Sequence, residues 1–72
     1  AAGARNSTLN AEAHGIAQLA AGGLVDERVA LDALAHAATR CGLEAGEIRN
    51  TLRSAWRAGM RSPRGVAEVA RG

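Results

Sequence analysis

A chain of 72 residues with one cysteine and a single aromatic residue, Trp56, makes one small domain. At this length only about 60% of the unfolded surface is buried on folding, which argues against a large enclosed active site. All nine basic residues are arginine, and they are unevenly placed: residues 1–47 sum to −3 and residues 48–72 to +5, so the C-terminal third is the candidate anion-facing surface.

Hydrophobic residues make up 47% of the chain and alanine dominates them, a composition for closely approaching helices and not for a sandwich of β-branched strands. In chain order, Asn6 or Ser7 can cap a first helix by accepting a hydrogen bond from a free backbone N–H. Leu9, Ala13, Ile16 and Ala20, with Leu19 beside them, recur at helical spacing until Gly22-Gly23 ends the run. Gly15 weakens this helix by up to about 1 kcal/mol relative to alanine unless a close neighbour needs the space.

Asp26 is the expected cap of a second helix, with Glu27 in its first turn at the positive end of the dipole. Ala30, Leu34, Ala37 and Cys41, widened by Leu31 and Ala38, form its apolar stripe. Arg28, Asp32, His36 and Arg40 lie on the opposite side at i, i+4 steps, and Gly42 is the natural stop. Ile48, Leu52, Ala55 and Gly59 then trace the apolar face of a third helix, and at 100° per residue Arg49, Arg53 and Arg57 fall within about 80° of one another beside that face. Ser62-Pro63 is a cap followed by a residue preorganised for a first turn.

The expected fold is therefore all-α: a bundle of three main helices at about 7–21, 27–41 and 45–60, with a short fourth at about 63–70. Residues 1–5 are expected to be a flexible lead, and 61–72 a basic extension. The lone Cys41 excludes an internal disulfide and fits a reducing compartment. No apolar run reaches the length of a membrane span and no signal-peptide pattern opens the chain, so a cytoplasmic monomer without membrane contact is expected.

Arg49, Arg53, Arg57 and Arg61 make three successive like-charge i, i+4 pairs with no glutamate interleaved, an arrangement that costs about 0.2–0.5 kcal/mol per pair. Such a stripe is either a solvated face or a phosphate-binding one. Trp56 has two open roles as well: the only large ring of a small core, or a stacking partner for a base beside guanidinium groups.

Three stretches resemble a known family: Arg5-Asn6-Ser7-Thr8-Leu9-Asn10; Ile16-Ala17-Gln18-Leu19 leading into Gly23-Leu24-Val25-Asp26-Glu27; and Thr51-Leu52-Arg53-Ser54-Ala55-Trp56-Arg57 with Gly59. In this order they are similar to the helix bundle, or primase C-terminal, domain of phage, plasmid and actinobacterial primase-polymerases, over roughly residues 3–65. The resemblance implies a non-catalytic accessory domain that engages single-stranded DNA template and a nucleoside triphosphate such as ATP during primer initiation. The catalytic carboxylates, a nucleotidyltransferase site, would lie in an adjoining domain. Carried onto matching positions, it places Arg5, Asn6 and Asn10 at the start of the first helix and Arg53, Ser54 and Arg57 on the last. His14 stands where an aromatic is frequent, and Glu44-Ala45-Gly46-Glu47 lacks the usual serine or threonine cap, which predicts a frayed helix start.

Arg5 and Asn6 could hold a phosphate at a helix N-terminus, and Asn10 a base edge; capping and local hydrogen bonds are the equal alternative for both asparagines. Arg49, Arg53 and Arg57 would hold phosphates, with Arg61 as supporting charge beyond the helix end, and Asn10 or Trp56 a base. A rival function is a docking module for the polymerase domain or a replicative helicase, with the arginines meeting acidic protein surface. A duplex-reading helix-turn-helix would have only Asn50 and Thr51 as obvious base readers. His14, His36 and Cys41 lack zinc-site spacing. His36 is expected to be exposed beside Asp32, and Cys41 a small core residue. No glycine-rich phosphate loop and no paired catalytic base is present, so no catalysis is assigned.

Overall fold

The computed structural model describes residues 2–65, with side chains from residue 5 onward. They form three helices, α1 (Ala2–Ala21), α2 (Glu27–Arg40) and α3 (Ala45–Met60), and among the described residues there is no strand. The three-helix expectation holds, with two displaced boundaries: α1 begins at Ala2, before Asn6 and Ser7, so that residues 2–5 of the expected flexible lead are helical, and α2 ends at Arg40, one residue early. The alanine-rich opening continues the helix at little cost, and Asn6 inside it uses its side chain across the bundle instead of capping.

Both interhelical turns are closed by a glycine with positive φ. After α1, the Gly23 N–H donates to the Ala20 carbonyl and the Leu24 N–H to the Leu19 carbonyl, with Gly23 at φ 81°. After α2, the Gly42 N–H donates to Thr39 and the Leu43 N–H to Ala38, with Gly42 at φ 90°. This paired pattern satisfies the last carbonyls of a helix and needs a residue that tolerates the left-handed region. Asp26 caps α2 as expected, its Oδ1 accepting from the Val29 N–H at 3.0 Å. Glu44 precedes α3 without a side-chain cap, although its carbonyl still accepts from the Ile48 N–H at 2.9 Å.

The core is Leu9, Ala13 and Ala17 from α1, Leu34 and Ala38 from α2, Leu43 from the turn, and Ile48, Leu52, Ala55 and Trp56 from α3. The tightest approach is between α1 and α3. A Cβ placed on Gly59 would lie 2.5 Å from the Ala17 Cβ and 2.6 Å from the His14 carbonyl oxygen, so the two backbones meet where Gly59 has no side chain.

The predicted stripe of α2 is corrected on one edge. Leu34 and Ala38 are buried and Ala30, Leu31 and Ala35 partly so, whereas Ala37 and Cys41 are exposed. For Cys41 the physical reason is the helix end, since it is the C-cap and the reversal at Gly42 delivers Leu43 to the core in its place; Ala37 lies within the helix and lines an open concavity beside Leu34 and Ala38. Pro63–Gly65 are not helical, and the remainder of the expected fourth helix lies outside the described residues. They fold back over the end of α1, where the Arg64 N–H donates to the Gln18 carbonyl at 2.9 Å. Gly22 makes room, since a Cβ there would collide with the Arg64 carbonyl. No described helix is long and apolar enough to cross a membrane.

Candidate nucleic-acid interface

The inward face of α3 fixes its outward one. Ile48, Leu52, Ala55 and Gly59 are buried at helical spacing, so Arg49, Arg53 and Arg57, each one or two residues further on, project into solvent and are exposed. Arg61 follows as the C-cap and is exposed too. Arg57 and Arg61 sit at the negative end of the helix dipole, which offsets part of their mutual repulsion. None of the four makes a hydrogen bond or ion pair with a described residue.

Two adjoining concavities share Arg53 and Arg57. On the polar side, Asn50, Ser54 and Arg61 complete an open cleft of about 280 Å³ that contains no acid. On the other side, α3 meets α2 in a wider groove of about 540 Å³, with Leu31 and Ala35 from α2 and Leu52 and Trp56 from α3 as its apolar surfaces. Arg49, Arg53 and Arg57 line one wall of that groove and Asp32 the other. Two guanidinium groups are thus placed to hold anions from either side of one helix ridge.

Trp56 occupies the core. Only 7% of the residue is exposed, and its indole N–H donates to the Glu27 carboxylate at 3.0 Å. The ring serves the core, and the residue also borders the α2–α3 groove. The lone ring is needed inside because alanine and leucine cannot fill the space between three helices by themselves.

The residues expected at the start of α1 are engaged within the fold. The Arg5 Nη1 donates to the Cys41 carbonyl at 2.6 Å, at the C-terminal end of α2 where a cation is favoured. Asn6 donates through Nδ2 to Glu47 at 3.0 Å and to the Thr51 hydroxyl at 2.7 Å, tying α1 to the first turns of α3. Because α1 starts at Ala2, neither residue stands at a helix N-terminus. Asn10 is exposed. The sequence-predicted residues therefore divide: Arg49, Arg53, Ser54, Arg57 and Arg61 come together on α3, while Arg5, Asn6 and Asn10 lie on α1 and Trp56 is inside.

Asp32 and Leu31 were not anticipated as part of this surface. Asp32 lies on the polar face of α2, as its spacing requires, but spacing alone does not say which flank of that face turns toward α3. A third concavity of about 310 Å³ lies between α1 and α2, floored by Leu9, Leu34, Ala38 and Leu43, with Arg5 and Glu12 at its rim. Among the described residues no group of three His, Cys, Asp or Glu is placed to hold a metal ion. No protein-family model, curated protein or solved structure matches the chain.

Proposed function

We propose that the domain binds single-stranded nucleic acid through the arginine face of α3, as a non-catalytic accessory domain of a primase-polymerase that engages template during primer initiation. The observation that carries this is the run Arg49, Arg53, Arg57 and Arg61: four exposed guanidinium groups along one helix, none paired with a described acid. Phosphates supply the missing counter-charge, and the planar fork of arginine fits them in bidentate fashion. The likeness of Arg53-Ser54-Ala55-Trp56-Arg57 to the primase helix bundle domain supplies the biological setting.

A nucleoside triphosphate has its best-placed groups in the acid-free cleft, where Arg53, Arg57 and Arg61 surround Ser54 and Asn50. Arg5 and Asn6 serve less well, because their donors already hold α2 and α3.

Fluorescence anisotropy of a labelled thymine oligonucleotide of about 12 nucleotides tests the proposal. With three to five phosphates engaged, log affinity should fall with log salt at a slope of roughly −2 to −3.5. The double variant Arg53→Ala/Arg57→Ala should flatten that slope by about 1.4, two phosphate contacts being lost. A flat salt dependence in the parent chain refutes phosphate binding. Were the domain instead a docking module for the polymerase domain or a helicase, the double variant would lose a protein contact and leave oligonucleotide behaviour unchanged.

A further inference from the structure

We propose that Asp32 makes the α2–α3 groove selective among bases, favouring those with an exocyclic amino group, so that a cytosine strand binds better than a thymine strand. The preference rests on strand binding by α3 and specifies what that face reads.

The groove sorts the two halves of a nucleotide by charge. Arg49, Arg53 and Arg57 attract phosphate, but Asp32 lines the same groove and repels it. The neighbouring cleft shares Arg53 and Arg57, adds Arg61, and contains no acid. A polyanionic backbone is therefore most favourably placed over the ridge and on the cleft side. The base attached to it then reaches into the groove, where Leu31, Ala35 and Leu52 offer an apolar surface for a flat ring.

At the far wall the base meets Asp32, which is exposed and makes no hydrogen bond or ion pair with a described residue. A carboxylate accepts hydrogen bonds and donates none. It pairs with the amino group of cytosine, for which aspartate and glutamate are natural acceptors, and also with the amino groups of adenine and guanine, guanine adding its neighbouring ring N–H. Thymine has no amino group, and its one ring N–H is flanked by two carbonyl oxygens that face the carboxylate unfavourably. A good bidentate base contact discriminates by about fivefold to about 150-fold in affinity, and a single hydrogen bond lies at or below the low end. Asp32 stands in open solvent, so the low end applies, about fivefold in affinity.

The test compares cytosine and thymine oligonucleotides of equal length, by anisotropy at neutral pH, on the parent chain and on Asp32→Asn. The parent should bind the cytosine strand about fivefold more tightly. Asp32→Asn should bring the ratio close to one, because the amide can both donate and accept. The variant should also bind the thymine strand more tightly than the parent does, repulsion having been removed, with the salt slope of each strand unchanged. Circular dichroism checks that the variant folds, and Asp32→Ala, which has no polar tip, should likewise lose the preference. Equal affinities in the parent overturn the inference, as does a preference that survives in both variants; in either case salt-dependent binding would show α3 still engaging phosphate. Absence of binding to either strand at low salt overturns both the preference and the strand binding beneath it.

Discussion

Two glycines inside helices make a matched test of how the bundle is held together. In a helix interior, glycine-to-alanine substitution gains about 0.8–1.0 kcal/mol from backbone entropy and propensity when nothing opposes it. At Gly15 nothing does, since a Cβ there would meet no atom within 4 Å beyond its chain neighbours and its own helix backbone. At Gly59 the Cβ would stand 2.5 Å from the Ala17 Cβ and 2.6 Å from the His14 carbonyl oxygen. Carbon atoms rest at about 3.5–4.0 Å, so α1 and α3 would have to separate by about 1 Å. The His14 oxygen is backbone and cannot rotate away.

Overpacking of this kind costs about 1–3 kcal/mol, and the backbone contact places Gly59 at the upper end. After the propensity gain, Gly59→Ala should lose about 2 kcal/mol while Gly15→Ala gains about 0.8 kcal/mol. For a domain of this size each kcal/mol moves the melting temperature by about 4–8 °C. Thermal unfolding followed at the helical circular-dichroism band should then show Gly59→Ala melting about 8–16 °C lower and Gly15→Ala about 3–6 °C higher. A Gly59→Ala chain that melts at or above the parent would refute close α1–α3 packing as the organising contact.

Asn6→Ala removes both side-chain hydrogen bonds from α1 to Glu47 and Thr51. It should cost about 1–2 kcal/mol in chemical denaturation, while the folded variant keeps its oligonucleotide affinity within about twofold. A large affinity loss without a stability loss would return Asn6 to the ligand surface. Asp26→Ala removes the side-chain acceptor for the Val29 N–H and should destabilise the domain by about 1 kcal/mol, with amide exchange quickened first in the opening turn of α2. Uniform acceleration across all three helices would show that α2 does not open locally.

Periodicity and turn chemistry made much of the fold legible. The buried series Ile48, Leu52, Ala55 and Gly59 is the spacing of an inward helix face, and Gly23 and Gly42 stand where helices must reverse. The start of α1 was not legible, because Asn6 and Ser7 carry a capping signal that a tertiary contact overrides: Asn6 gains two partners across the bundle by staying inside the helix. Cys41 misled for a related reason, since it continues an apolar stripe that the chain leaves one residue earlier. On the candidate surface the arginines were visible, being consecutive on one helix. Asp32 opposite them was not, because the pairing of α2 with α3 across a groove is a property of the assembled bundle.

The energetics of α3 bear on why its outer face is built as it is. Three like-charge i, i+4 pairs cost about 0.6–1.5 kcal/mol together, an appreciable share of the roughly 4–11 kcal/mol that holds a domain of this length. The dipole relieves Arg57 and Arg61 at the C-terminal end, but Arg49 lies in the other half of the helix and gains nothing from it. Asp32 lines the same groove as Arg49, Arg53 and Arg57, yet no ion pair closes between them. A face selected for stability alone would pair these charges or mix their signs along the helix. The strand binding proposed for this face would account for three guanidinium groups and one carboxylate left open across an apolar floor, because a nucleotide strand carries both phosphates and hydrogen-bond donors.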